Sequence, residues 1–110
     1  MPRIYIAGPM SGLPEFNYPA FNAMAARLRS LGYEVENPAE NPTPPCGSWQ
    51  GFMRLGLTQV LRCDQMIMLP GWEKSHGARL EHYIATTLGL TIITDPADER
   101  VAERWREPET

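Results

Sequence analysis

Two hydrophobic patterns alternate along the chain. Short runs rich in β-forming residues cover residues 3–6, 33–36, 65–69 and 90–94. Between them, apolar residues recur every three or four positions, which is the spacing of one helix face. In the first such segment they are Phe21, Met24, Ala25, Leu28 and Leu31, before a Gly32 stop. The repeated order of strand and helix predicts an α/β fold, a parallel sheet covered by helices on both faces.

Capping signals place the helix ends. Pro19 suits the first turn of the first helix, and Ser48 suits the N-cap of the second, whose apolar positions begin at Met53. The third helix is predicted over residues 76–88, closed by Gly89. Asp95 is expected to cap a fourth, strongly charged helix.

The third helix carries the residue of greatest interest, Glu81. If the fold is a flavodoxin-like three-layer sandwich with strand order 2-1-3-4, its ligand crevice lies between the loops at residues 8–14 and 70–75. A helix that begins near His76 places Gly77 and Glu81 on one face, above that crevice. A lone glutamate in a helix is most often a solvated surface residue, so its position over the crevice is what suggests a function.

The crevice loops admit two interpretations each. Gly8 and Gly12 let a backbone approach a phosphate or hydroxyl, or simply form a turn with positive φ. Neither a Walker sequence nor a GxGxxG fingerprint is present. Ser75 suits an N-cap, Trp72 suits either a stacking surface or a plug, and Tyr5 is a core residue by default. The proline-rich loop at residues 37–47 is either a lid or a plain crossover.

Length, net charge and cysteine count exclude several classes of protein. The 110 residues suit a single domain, residues 1–110, and the net charge of -3 argues against non-specific binding to nucleic acid. No apolar run reaches membrane-spanning length, and the amino terminus leads into a strand rather than a signal peptide. A cytoplasmic protein without metal or cofactor is expected, because Cys46 and Cys63 are too few for a zinc site or a disulfide framework.

Two motifs carry a family resemblance. YIAGPMSG at residues 5–12 and LPGWEKSHGARLE at residues 69–81 resemble the nucleoside 2-deoxyribosyltransferase-like superfamily. The resemblance implies a flavodoxin-like homo-oligomer that cleaves or transfers at the N-glycosidic bond of a 2'-deoxynucleoside or its 5'-monophosphate. It also implies that Glu81 is the nucleophile, that Tyr5 orients it, and that Ser75 holds the sugar or phosphate. The other residues expected at the substrate are Gly8, Pro9, Met10, Ser11, Gly12, Gly71, Trp72 and Gly77.

The proton donor for the departing base is where this chain differs from that superfamily. Its members have an aspartate at the position of Gly56, and Asp64 stands at the opposite end of the sheet. Glu73, His76 and Glu40 remain candidates from the loops. A nucleotide-binding or sensing module that retains the pocket and lacks the acid is the alternative function.

Two mutational expectations follow from the sequence. Glu81→Gln should abolish base release and leave folding almost unchanged, if Glu81 is surface-facing. Gly56→Asp should raise hydrolysis by restoring the acid, unless position 56 is packed against a neighbour with no room for a side chain.

Overall fold

Four strands alternate with three α-helices in residues 2–44 and 47–94, which the computed structural model describes. The predicted helix at Asp95 and the thiol of Cys46 lie outside these ranges. The strands are β1 (Arg3–Ala7), β2 (Glu34–Glu36), β3 (Gln65–Met68) and β4 (Thr91–Ile93). The helices are α1 (Tyr18–Ser30), α2 (Trp49–Val60) and α3 (His76–Thr87).

The sheet is parallel throughout and has the order β2-β1-β3-β4, which confirms the predicted topology. Ile4 pairs with Val35 on one side and with Gln65 on the other, so β1 and β3 run side by side at the centre. Both strands end at the same edge of the sheet. The loops after β1 and β3 therefore meet there, at the place where an open parallel sheet usually binds its ligand.

Side chains along β1 alternate between the two faces of the sheet. Ile4 and Ile6 pack with α1, whereas Tyr5 and Ala7 face the side covered by α2 and α3. The first core contains Ile4, Ile6, Phe21, Met24, Ala25, Leu28, Ile67, Leu69 and Ile93. The second contains Tyr5, Ala7, Val60, Cys63, Met66, Met68 and Ala85. The result is a three-layer sandwich in which Tyr5 points toward α3.

The helix caps agree with the sequence signals. Ser48 Oγ accepts a hydrogen bond from the Gly51 N–H, and Ser75 Oγ accepts one from the Ala78 N–H, each at 3.1 Å. Strand and helix ends differ from the predicted bounds by at most one residue, within the usual uncertainty of such ends. None of the helices in the described residues is long and apolar enough to cross a membrane.

Candidate active site

A buried pair, Tyr5 and Glu81, lies where β1 meets α3. The Tyr5 hydroxyl donates a hydrogen bond of 2.7 Å to Glu81 Oε2. Tyr5 is 1% exposed and Glu81 is 7% exposed. The sequence expectation of a surface-facing glutamate is therefore wrong. The helix turns Glu81 inward, over the sheet, and Ser75 caps that helix at its crevice end.

Burial changes the acidity of both groups. Loss of solvation raises the pKa of Glu81 from 4.5 to about 7, and the hydrogen bond from Tyr5 offsets part of this rise. Burial, followed by the neighbouring carboxylate, raises the pKa of Tyr5 well above its ordinary value. Among the described residues, no salt bridge reaches Glu81. A carboxylate without a cation and with a pKa near neutrality is typical of a functional group.

Gly56 of α2 closes the other side of this pair. A Cβ placed on Gly56 would lie 2.7 Å from Glu81 Oε2 and 2.9 Å from the Tyr5 hydroxyl. Position 56 is thus adjacent to the site, as the aspartate of the resembled superfamily at this position implies. Position 56 has no room for a side chain while Tyr5 and Glu81 are hydrogen-bonded. This is the condition under which Gly56→Asp is not expected to raise hydrolysis.

A cavity of about 750 Å³ opens beside the pair. Its lining includes backbone and small side chains from the loops after β1 and β3, together with an apolar wall. The predicted site residues in the lining are Tyr5, Gly8, Pro9, Met10, Ser11, Gly71, Ser75, Gly77 and Glu81. The cavity has the size and mixed lining usual for small-molecule sites.

Two predicted site residues lie outside this lining. Gly12 has φ +79° and open space around it, so it serves the turn. Trp72 stacks on His82, with ring centroids 4.5 Å apart, and packs against the second core. The structure therefore supports a packing role for Trp72 in the loop rather than a stacking surface for a ligand.

Gly8 lines the cavity for a packing reason. A Cβ at this position would approach Leu69 Cβ to 2.8 Å, so a side chain would push the ends of β1 and β3 apart. The absence of a side chain at Gly8 therefore keeps the two crevice loops close together.

The sequence reasoning missed the aromatic wall. Trp49, Phe52, Met53 and Gly56 share one face of α2 at spacings of three, four and seven, and all four line the cavity. This periodicity was the available signal. Trp49 stacks on His76, with ring centroids 4.8 Å apart and ring planes 17° apart.

A left-handed turn completes the wall. Glu15, Phe16 and Asn17 have φ of 52°, 53° and 61°, and the Asn17 side chain donates to the Pro9 carbonyl at 3.0 Å. Three successive non-glycine residues in this region are rare and strained. The turn places Phe16 at the cavity, together with Leu13.

Amide hydrogen bonds hold the proline-rich loop in place. Asn41 and Gln59 exchange two side-chain hydrogen bonds, of 2.7 and 3.0 Å, and Gln59 also donates to Glu36. Pro38, Asn41 and Gly47 line the cavity. The loop between β2 and α2 is thus both a crossover and part of the site.

No group of three or more His, Cys, Asp or Glu side chains within the described ranges is arranged to hold a metal ion. At the other end of the sheet, the Asp64 carboxylate accepts from the Arg3 N–H at 3.2 Å. Asp64 is therefore remote from the cavity, as its place before β3 predicted.

Comparison with protein families gives a match over most of the chain. Residues 2–94 match the model described as "Domain of unknown function (DUF4406)". No curated protein shows significant similarity to the chain.

Proposed function

The chain belongs to this DUF4406 family, and we propose that it is an N-glycosidase or deoxyribosyltransferase acting on a 2'-deoxynucleoside or its 5'-monophosphate. The observation that carries the proposal is the buried hydrogen bond of Tyr5 to Glu81 beside the cavity. The resemblance of residues 5–12 and 69–81 to the nucleoside 2-deoxyribosyltransferase-like superfamily supports the same chemistry. The family description itself names no activity.

Glu81 is suited to nucleophilic attack on the anomeric carbon. Tyr5 and Gly56 occupy the surroundings of Oε2, so Oε1 is the oxygen available for attack. As C1'–O bond formation proceeds, the C1'–N bond breaks and its electron pair leaves with the base. Water then releases the sugar, or a second base accepts it. Ser75 keeps a hydroxyl proton for the sugar or phosphate, because its oxygen only accepts at the cap.

A nucleotide-binding or sensing module is the second candidate. The observation that favours it is Gly56, since the space that an aspartate would need is filled by Glu81 and Tyr5. Such a module would use the same cavity and would leave the glycosidic bond intact.

The test is base release from the four common 2'-deoxynucleosides and their 5'-monophosphates, followed by chromatography. Mass spectrometry of acid-quenched protein is expected to show a deoxyribosyl adduct. Titration calorimetry with the same compounds separates the second candidate, which binds without release. Absence of both binding and release would contradict both functions.

The rate of base release is expected to fall on the acid side of about pH 7, because Glu81 must be ionised to attack and its pKa is raised to about 7. The measurement is kcat/KM between pH 5 and pH 9. In Tyr5→Phe the inflection should move to higher pH, since the hydrogen bond that favours the carboxylate is lost. An inflection near pH 4.5 in the parent would contradict this account.

The protein is expected to form at least a homodimer. Phe52 and Tyr83 are 41% and 66% exposed on helices α2 and α3. In the sheet formed by the described residues, β2 and β4 are the edge strands. Light scattering at micromolar concentration should give the mass of two chains or more. A monomer under these conditions would contradict the prediction.

A further inference from the structure

Departure of a base requires a proton, and the cavity offers few donors. Its titratable lining side chains, within the described residues, are Tyr5, Tyr18, Lys74, His76 and Glu81. Glu81 is assigned to nucleophilic attack, and the Tyr5 hydroxyl is engaged as a hydrogen-bond donor to Glu81. Histidine is the residue type used most often as a general acid near neutral pH.

The two acidic candidates from the loops do not reach the cavity. Glu40 forms a two-pronged ion pair with Arg29, with N–O distances of 2.7 and 2.9 Å. This pairing lowers the pKa of Glu40, so its carboxyl group is ionised near neutral pH and has no proton to donate. Neither Glu40 nor Glu73 belongs to the cavity lining.

His76 does belong to the lining, and its ring is held in place. Trp49 stacks on the imidazole with nearly parallel planes, which leaves the ring nitrogens at its edge free of the stack. His76 is also the first residue of α3, the helix that carries Glu81. Glu81 follows His76 by five positions, which is a rise of about 7.5 Å along the helix axis. Imidazole and carboxylate therefore border the same cavity from one rigid element.

From this placement we infer that His76 is the general acid that protonates the departing base, an inference that rests on the proposed glycosidic activity. The protonated imidazole gives its N–H proton to a base nitrogen while the C1'–N bond breaks and the Glu81 oxygen bonds to C1'. Water then attacks C1', its proton returns to the neutral imidazole, and Glu81 leaves as a carboxylate. One deoxynucleoside and one water yield one base and one deoxyribose.

The inference is tested with two substrates that differ in their need for a proton. Natural bases require protonation, whereas p-nitrophenolate leaves from p-nitrophenyl 2-deoxy-β-D-riboside without it. His76→Ala is expected to slow base release by about 10²- to 10⁴-fold, the usual contribution of a general acid. Its rate with the p-nitrophenyl substrate should change only a few-fold.

Two variants serve as controls. His76→Phe keeps a flat ring against Trp49 but carries no proton, so it should lose base release as His76→Ala does. His82→Ala removes the other histidine, which stacks on Trp72 outside the cavity lining, and should leave both rates unchanged. Circular dichroism of each variant checks the fold.

The outcomes are distinct. The inference is supported if both His76 variants lose base release from natural deoxynucleosides but still cleave the p-nitrophenyl substrate. Retained base release in either variant, or equal loss with both substrates, overturns it. A parent protein that cleaves the p-nitrophenyl substrate but releases no natural base keeps Glu81 as nucleophile but overturns both the role of His76 and the proposed cleavage of natural deoxynucleosides. A parent that cleaves neither overturns the proposed function itself.

Discussion

Glu81→Gln is expected to abolish base release and to make the fold more stable. Loss of the nucleophile should reduce turnover by roughly 10⁴-fold or more. The pKa rise from 4.5 to about 7 means that the buried charge costs about 3 kcal/mol of unfolding free energy above pH 7. Glutamine has nearly the same shape, accepts the Tyr5 hydrogen bond and carries no charge. A gain of up to about 3 kcal/mol is therefore expected.

The contribution of Glu81 to the free energy of unfolding depends on pH. A carboxyl group with a raised pKa in the folded state destabilises the protein progressively as pH rises from about 4.5 to about 7. Urea unfolding of parent and variant should thus differ little at pH 4 and most at pH 8. Glu73→Gln, at an exposed position, is the matched control and should change stability by less than about 0.5 kcal/mol. A variant that turns over like the parent, or is less stable at pH 8, would contradict this account.

Gly56→Asp is expected to destroy the site rather than to restore an acid. Its Cβ would overlap Glu81 Oε2 at 2.7 Å and the Tyr5 hydroxyl at 2.9 Å, so the pair must separate. The sequence alone suggests that Gly56→Asp raises hydrolysis, whereas the tight packing at Gly56 predicts a loss of activity. Overpacking should also cost about 1–3 kcal/mol of unfolding free energy, and a second buried carboxylate beside Glu81 adds repulsion.

Two further substitutions show whether the added Cβ or the added charge of Gly56→Asp causes the loss. Gly56→Ala adds only the Cβ, so it should already weaken base release if the contact is steric. Thr58→Asp places the same charge on the exposed face of α2 and should leave activity and stability nearly unchanged. Urea denaturation and base release are measured on all three. A folded Gly56→Asp protein with faster base release would show that α2 can move away to accommodate the acid.

The fold was predictable because its signals are local and periodic. Alternating strand and helix patterns, with caps at Ser48 and Ser75, suffice to specify a parallel sheet with right-handed crossovers. The crevice between the loops after β1 and β3 then follows from strand order alone. The expected proximity of Tyr5 and position 56 to Glu81, by contrast, rested on the resemblance to the superfamily.

Packing between elements was not predictable in the same way. Whether Glu81 faces solvent or the sheet depends on the rotation of α3, which residues 76–81 alone do not fix. The tight fit at Gly56 depends on atoms from three elements that are far apart in sequence. Trp72 illustrates the same limit, since its partner His82 becomes visible only when the loop and helix are assembled.

The contact among Gly56, Tyr5 and Glu81 has an evolutionary consequence. Because one added carbon at position 56 meets both other side chains, the effects of substitutions at these three sites are expected to depend on one another. An aspartate at position 56 becomes acceptable only after Tyr5 or Glu81 has shifted, and either shift alone removes the present hydrogen bond. A side chain at position 56 is therefore expected to be tolerated only together with a change at residue 5 or residue 81.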